Sequence, residues 1–388
     1  MQERTCRLPV HGQGVFLFQA PPTGPATFTF SAPDASGLSV EFTPTSVKVY
    51  RIGSPEPLPD PNNTSGLSAH AGAYYWFSLD SQNQRLYAGV GEARLSTAIY
   101  RYTWDPASPN RKATKLFLES LTTIHYAPEI KPLRILRDPI TANIPLKVKD
   151  IAELMMNDVA SGTVLPRANL APMSQKLFDC IAGERFVLDS PDFRDFSKAI
   201  EYSIATPGCW CNTRLQEKSR EFNPDKPDPT ETYLRITLGQ NNGESPGIPY
   251  VMEIWPVGHY SPIHNHAGAE AIIRVLHGGI HVSLYPFLCA EKDGVAPMEQ
   301  ADFTKGDITW ISPTLNQTHQ LRNLPGNTET CITIQCYMYD AANKAHYDYF
   351  DYLDADGKVQ QYEPDSDMDF VAFKALMKAE WSKRRRFC

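Results

Sequence analysis

GHYSPIHNHAGAEAIIRVLHG, residues 258 to 278, is the stretch on which the reading of this chain turns. His264 and His266 stand one residue apart, and Glu270 follows four residues later. Upstream, VMEIWPV (251–257) is apolar, partly β-branched and closed by Pro256 and Gly258, which predicts a strand. Downstream, AIIRVL and GGIHVSLYPF predict two more strands, turned over as a hairpin at Gly278-Gly279. Residues i and i+2 of a strand share a face, so the two imidazoles point the same way. They make half of a metal site. After Gly306-Asp307, ITWISP predicts a short strand, and NQTHQLRN then supplies His319, with Asn323 four residues on. A barrel strand carrying His319 brings it opposite the first pair, giving three neutral nitrogen donors on one face of a metal. Such donors suit Fe, Cu, Zn or Ni rather than Mg or Ca, and a site that does chemistry keeps coordination positions open. Each histidine taken alone is as well explained by hydrogen bonding in a β-rich core. The matched glycines, the glutamate and the second block favour the metal.

The pattern G-x5-H-x-H-x3-E-x7-G, followed by G-x6-P-x5-H-x3-N, resembles the two cupin motifs. Within cupins the wider run is similar to cysteine dioxygenase and its thiol dioxygenase relatives. The blocks that carry the likeness are YLRITLGQ, then YVMEIWPVGHYSPIHNHAGAEAIIRVLHGGIHVSLY, then GDITWISPTLNQTHQLRN, then ITIQCY, across about residues 190 to 340. The resemblance implies a double-stranded β-helix (jelly-roll) barrel and an Fe(II) ion held by His264, His266 and His319. It gives Arg235 a substrate carboxylate to hold and places Tyr233 and Trp255 in the pocket. Tyr337 takes the place of the active-site tyrosine. Two departures stand out. The cysteine that eukaryotic members join to that tyrosine is Ala271 here, so no such crosslink forms. The Ser-x-His-x-Tyr run that supports the tyrosine reads Thr333-Ile334-Gln335-Cys336-Tyr337, so Thr333 and Gln335 are its supporting residues and an amide replaces an imidazole.

The physical logic agrees with this reading. Three neutral histidines leave a ferrous ion its full charge, which favours an anionic thiolate. Arg235 offers a rigid fork to a carboxylate, and Tyr337 a hydroxyl to developing charge. Two roles are open to Glu270: a fourth ligand, as in many cupins, or a support behind the ligands. As a ligand it would favour Mn, Ni or another chemistry. His259, His277 and His281 are assigned no metal.

At 388 residues two or three domains are expected. Hydrophobic content of 42%, charged content of 21% and a net charge of -7 describe a globular chain with no reason to bind nucleic acid or acidic membranes. No run of about 18 apolar residues predicts a membrane helix, and MQERTCRLPV has no apolar signal core. The eight cysteines show neither zinc spacing nor a disulfide ladder, and Cys209-Trp210-Cys211 reads as two buried thiols. A cytoplasmic location is expected. Lys383 to Arg386 read as a solvated helix end, and Asn63-Thr64-Ser65 as a glycosylation triplet without relevance there.

Residues 1–110 read as a β-sandwich-like domain of short aromatic and β-branched runs, with a carbohydrate or protein as candidate ligand. Residues 111–146 read as a connector and 147–220 as helices preceding the barrel. Among the latter, KVKDIAELMMNDVAS carries Ile151, Leu154, Met155 and Val159 at helical spacing, with Met155-Met156 in the core. SQKLFDCIAGE and SPDFRDFSKAIEYSI read as two more, the second opening at Ser190-Pro191-Asp192. Residues 221–388 read as the cupin dioxygenase domain, ending in a hairpin about Asp356-Gly357 and a terminal helix. The leading expectation is an Fe(II)- and O2-dependent oxidoreductase forming a sulfinic acid from a small carboxylate-bearing thiol, such as cysteine or 3-mercaptopropionate. The competing expectations are a 3-His/1-Glu cupin enzyme acting on a non-thiol substrate, and a non-catalytic scaffold whose sandwich binds a ligand.

Overall fold

The computed structural model describes residues 3–20, 24–59, 73–239, 248–289, 295–339 and 349–384. The Asn63 triplet and the arginines at 385 and 386 lie outside them. The chain is mainly β and divides into two units, Met1–Ile144 and Pro145–Cys388.

The first unit is a sandwich of two five-stranded sheets. One runs in the order Arg4–Arg7, Thr123–Tyr126, Ala26–Ser31, Gly37–Phe42, Val47–Arg51, and the other Lys131–Leu136, Gln13–Gln19, Tyr75–Asp80, Arg85–Val90, Ala98–Thr103. In ATFTFS, Ala26, Phe28 and Phe30 are buried while Thr27 is exposed, the period-two pattern of a half-buried strand. Phe16, Phe18, Phe28, Phe30, Phe42 and Phe77 fill the space between the sheets, with neighbouring ring centroids 5.2–6.0 Å apart. The connector expected at 111–146 is corrected by these strands. Thr123–Tyr126 sits inside one sheet, where Ile124 and Tyr126 are buried, and Lys131–Leu136 pairs with Gln13–Gln19 on the edge of the other, half-buried with Leu133 exposed.

The second unit is a two-sheet jelly roll. Its strands are β1 (Leu234–Leu238), β2 (Tyr250–Trp255), β3 (His264–Asn265), β4 (Glu270–His277), β5 (Gly279–Tyr285), β6 (Glu299–Thr304), β7 (Ile308–Ile311), β8 (Thr318–Arg322), β9 (Cys331–Met338), β10 (Phe350–Leu353) and β11 (Val359–Tyr362). One sheet contains β7-β4-β9-β2-β1 and the other β6-β5-β8-β3-β10-β11. From β2 to β9 the chain passes back and forth between the sheets, the double winding that defines a jelly-roll barrel.

The hairpin expected at Gly278-Gly279 is not one. β4 pairs with β7 and β9, whereas β5 pairs with β6 and β8, so the chain changes sheets at Gly278. Gly278 has φ +64°, and a Cβ there would lie 2.5 Å from the Thr330 carbonyl oxygen. A corner needs glycine as strictly as a turn does.

The helix expected over residues 147–161 is also corrected. Lys147–Lys149 is a strand paired with β7, and only Met156–Ser161 is helical. Asp158 accepts from Lys149 Nζ and from the Met155 amide, both at 3.0 Å, and these bonds fix the short helix. Met155 and Met156 are 60% and 89% exposed, not core. The other helices form as Pro172–Ile181 and Phe196–Ala205, the latter starting six residues past Ser190. The terminal helix, Phe370–Lys383, is N-capped by Asp369 accepting from the Val371 and Ala372 amides.

Candidate metal centre

His264 on β3 lies directly opposite His319 on β8 in the antiparallel register. His266 follows two residues after His264, immediately before Ala267 and Gly268, which take φ of +51° and +80° and turn the chain into β4. The three rings gather with centroids 4.7–5.0 Å apart, and one donor nitrogen from each lies within 4.8 Å of the others. The barrel closure produces the convergence that the sequence only suggested.

The hydrogen bonds set the tautomers. His264 Nδ1 donates to the Pro262 carbonyl and His319 Nδ1 to the Asn316 carbonyl, each at 3.1 Å. A carbonyl can only accept, so both Nε2 atoms carry lone pairs. His319 Nε2 lies 3.2 Å from His266 Nε2. Two nitrogens bound to one ion at about 2.1 Å sit about 3.0–3.4 Å apart, so this spacing suits a shared metal. His266 Nδ1 is buried without a hydrogen-bond partner among the described residues. Burial drives the pKa of His264 down to about 4 against the pull of the Pro262 bond, with a smaller push from the Arg235 charge. Burial and His264 drive His319 down to about 3, and burial with both neighbours drives His266 well below its usual range. All three are neutral donors at neutral pH. The set fits a divalent transition metal.

Glu270 does not join them. On β4, Ala271, Ile273 and Val275 face the barrel interior, while Glu270, Ile272 and Arg274 face the helix Pro172–Ile181. Glu270 Oε2 accepts from Ser174 Oγ of that helix at 2.6 Å. Strand parity thus overturns the fourth-ligand reading: an odd offset from Ala271 puts the carboxylate on the outer face. Asn323, the last residue of the second motif, is fully buried and donates to the Trp255 and Glu329 carbonyls, which ties down the end of β2.

The pocket beside the histidines contains Tyr233, Arg235, Trp255, Thr333, Gln335 and Tyr337, the residues named from sequence. Tyr337 stacks on His266 at 5.7 Å and sits across from Ala271 in register. Its hydroxyl donates to Gln335 Oε1, and Gln335 Nε2 donates to Glu253 Oε2 and to Thr333 Oγ1. The amide that stands where an imidazole was expected is therefore the tyrosine's partner. Burial first, and Glu253 second, push the Tyr337 hydroxyl far above its usual pKa, so it stays a donor. Tyr233 and Trp255 stack at 4.2 Å and belong to the barrel's apolar core as much as to the pocket.

Two residues were missed. Phe350 on β10 packs 4.6 Å from His266, and β10 joins the sheet through His264↔Tyr352. Glu253 on β2 faces Arg235 on β1 directly in register, and Arg235 Nη1 donates to Glu253 Oε1 at 3.0 Å with both side chains buried. The only trace of either in the sequence was a glutamate on the interior face of an apolar strand, VMEIW.

No family model matches the chain. Among solved structures, the cupin_2 domain of an XRE-family transcriptional regulator from Enterobacter cloacae aligns at 14% identity over 28% of this chain and 97% of that one, with a TM-score of 0.22. The DMSP lyase DddQ from Ruegeria pomeroyi DSS-3 aligns at 14% identity over 29% of this chain and 49% of that one, TM-score 0.21. An oxalate oxidase in complex with the substrate analogue glycolate aligns at 17% identity over 28% and 52%, TM-score 0.22. The chain spans about half the length of the last two. The C-terminal unit is a two-sheet jelly-roll barrel, as its own strand order establishes.

Proposed function

We propose that the barrel is a mononuclear non-haem iron thiol dioxygenase, which converts a small thiol and O2 to a sulfinic acid. Both oxygen atoms of one O2 end on sulfur, so no external reductant is required. The observation that carries the reading is the trio of neutral imidazoles beside a pocket in which the Tyr337 ring stacks on His266 and its hydroxyl is held by Gln335. His264, His266 and His319 would hold the iron, which when bound would supply a centre able to activate both a thiol and O2.

The chain's own residues then have defined work. The Pro262 and Asn316 carbonyls keep the imidazole lone pairs turned inward. Gln335 accepts the single hydroxyl proton of Tyr337 and so holds that hydroxyl beside the histidines; turned away from Gln335, the same proton would be donated to developing negative charge. The apolar wall of Val275, Ile280 and Phe303 excludes bulk water. Arg235 and Trp255 orient the end of the substrate remote from sulfur.

The test is an O2-uptake screen of iron-loaded protein against small anionic, cationic and uncharged thiols, with sulfinate identified by mass. Uptake matched by sulfinate supports the reading, and its loss in His319→Ala ties it to the site. Stoichiometric iron with no uptake for any thiol refutes it.

A further inference from the structure

A buried guanidinium in a catalytic cavity is ordinarily a receptor for an anion brought by the ligand. In this barrel the anion is already supplied. Arg235 Nη1 donates to Glu253 Oε1, and Gln335 Nε2 fills Glu253 Oε2, so both carboxylate oxygens have partners. The pair is set by the antiparallel register of β1 and β2, which places Arg235 and Glu253 side by side on the inner face. A ligand carboxylate would share one guanidinium with a carboxylate already bonded to it, where water does not screen like charges. Two donors in the same cavity have no partner among the described residues, Arg235 Nε and Trp255 Nε1, although the residues are 8% and 1% exposed. Buried donors of this kind call for an acceptor. Only an uncharged acceptor answers both them and the neutralised pair.

We infer that Glu253 is a specificity-determining residue that excludes carboxylate-bearing substrates, and that the site takes a thiol whose remote end is an uncharged oxygen acceptor, an amide or a hydroxyl. This replaces the carboxylate expected at Arg235 from the sequence. The sulfur in the inference rests on the proposed function; the exclusion of the carboxylate does not.

The test uses the full chain loaded with cobalt(II), whose sulfur-to-cobalt absorption band reports thiol binding without turnover. N-acetylcysteamine is the uncharged probe and 3-mercaptopropionate the anionic one. In the wild type N-acetylcysteamine half-saturates at a concentration about ten-fold or more below 3-mercaptopropionate, and in Glu253→Gln the ratio shifts toward 3-mercaptopropionate by about ten-fold. A wild type that prefers 3-mercaptopropionate, or a ratio unmoved by Glu253→Gln, overturns the inference. If neither probe changes the band, the thiol reading falls, and a metal-free measurement judges Glu253. Propionate then raises the thermal midpoint of Glu253→Ala, or restores its folding, but leaves the wild type and Glu253→Ala/Arg235→Met unchanged. Equal stabilisation of the wild type by propionate, or none of Glu253→Ala, overturns it.

Discussion

The two units solve the same architectural problem and use their interiors for opposite ends. Each closes two antiparallel sheets over an inner space. In the sandwich that space is packed with phenylalanine, Phe28 touching Phe16, Phe18, Phe30, Phe42 and Phe77 in turn. In the barrel the corresponding wall carries three imidazoles, a guanidinium, a carboxylate, an amide and a phenol, each oriented by a neighbour. A dry aromatic interior draws its stability from contact alone. A polar interior depends for its stability on its partners being present, and the same dependence sets groups in place for the chemistry proposed above.

The comparison breaks most visibly at the centre of each interior. Phe28→Ala is expected to destabilise the sandwich by about 3–5 kcal/mol, the usual cost of an aromatic cavity, in a denaturant melt. In the barrel, Arg235→Met is expected to cost about 3–5 kcal/mol by stranding Glu253, whereas Arg235→Met/Glu253→Met together cost far less. Equal additive losses would mean that the pair contributes packing rather than charge balance. Tyr337→Phe sharpens the contrast. It removes only the hydroxyl held by Gln335, costing about 1 kcal/mol of stability, and under the proposed chemistry about 100-fold in kcat.

A smaller effect comes from Glu231, which accepts from Asn223 Nδ2. Burial raises its pKa to about 7, against the pull of that bond. Between the unfolded value near 4.5 and about 7 the folded state holds the proton more tightly, so stability falls as pH rises through this window. Glu231→Gln should therefore raise the thermal midpoint at pH 8 by about 2 °C and bring no gain below pH 4.5. The smallest effect is expected at Met156→Lys, within about 0.5 kcal/mol, because the side chain is 89% exposed.

Much of the barrel was legible because its signals are local. The H-x-H spacing, the strand runs and the second block with His319 and Asn323 each depend on neighbours in sequence. The misreadings share a different cause. Glu270 follows the histidines at motif spacing, but its face is fixed by the register of β4 against β7 and β9, which no local pattern states. Glu253 could be seen as an oddity in VMEIW, yet its partner depends on how β1 aligns with β2 across the intervening connection. Gly278-Gly279 was read from turn chemistry, whereas the strands on either side answer to different sheets. Ile151, Met155 and Val159 have helical spacing, but Lys147–Lys149 is captured by the barrel edge and leaves only one and a half turns of helix exposed to water.

The central claim is that three neutral imidazoles from β3, its following turn and β8 bind one metal ion. Equilibrium dialysis of the full chain against ferrous iron under anaerobic conditions, followed by elemental analysis, tests it without assuming any reaction. One ion per chain in the wild type, lost in His319→Ala and retained in Glu270→Gln, is the predicted result. Retention in His319→Ala, or loss in Glu270→Gln with the fold intact, would contradict it.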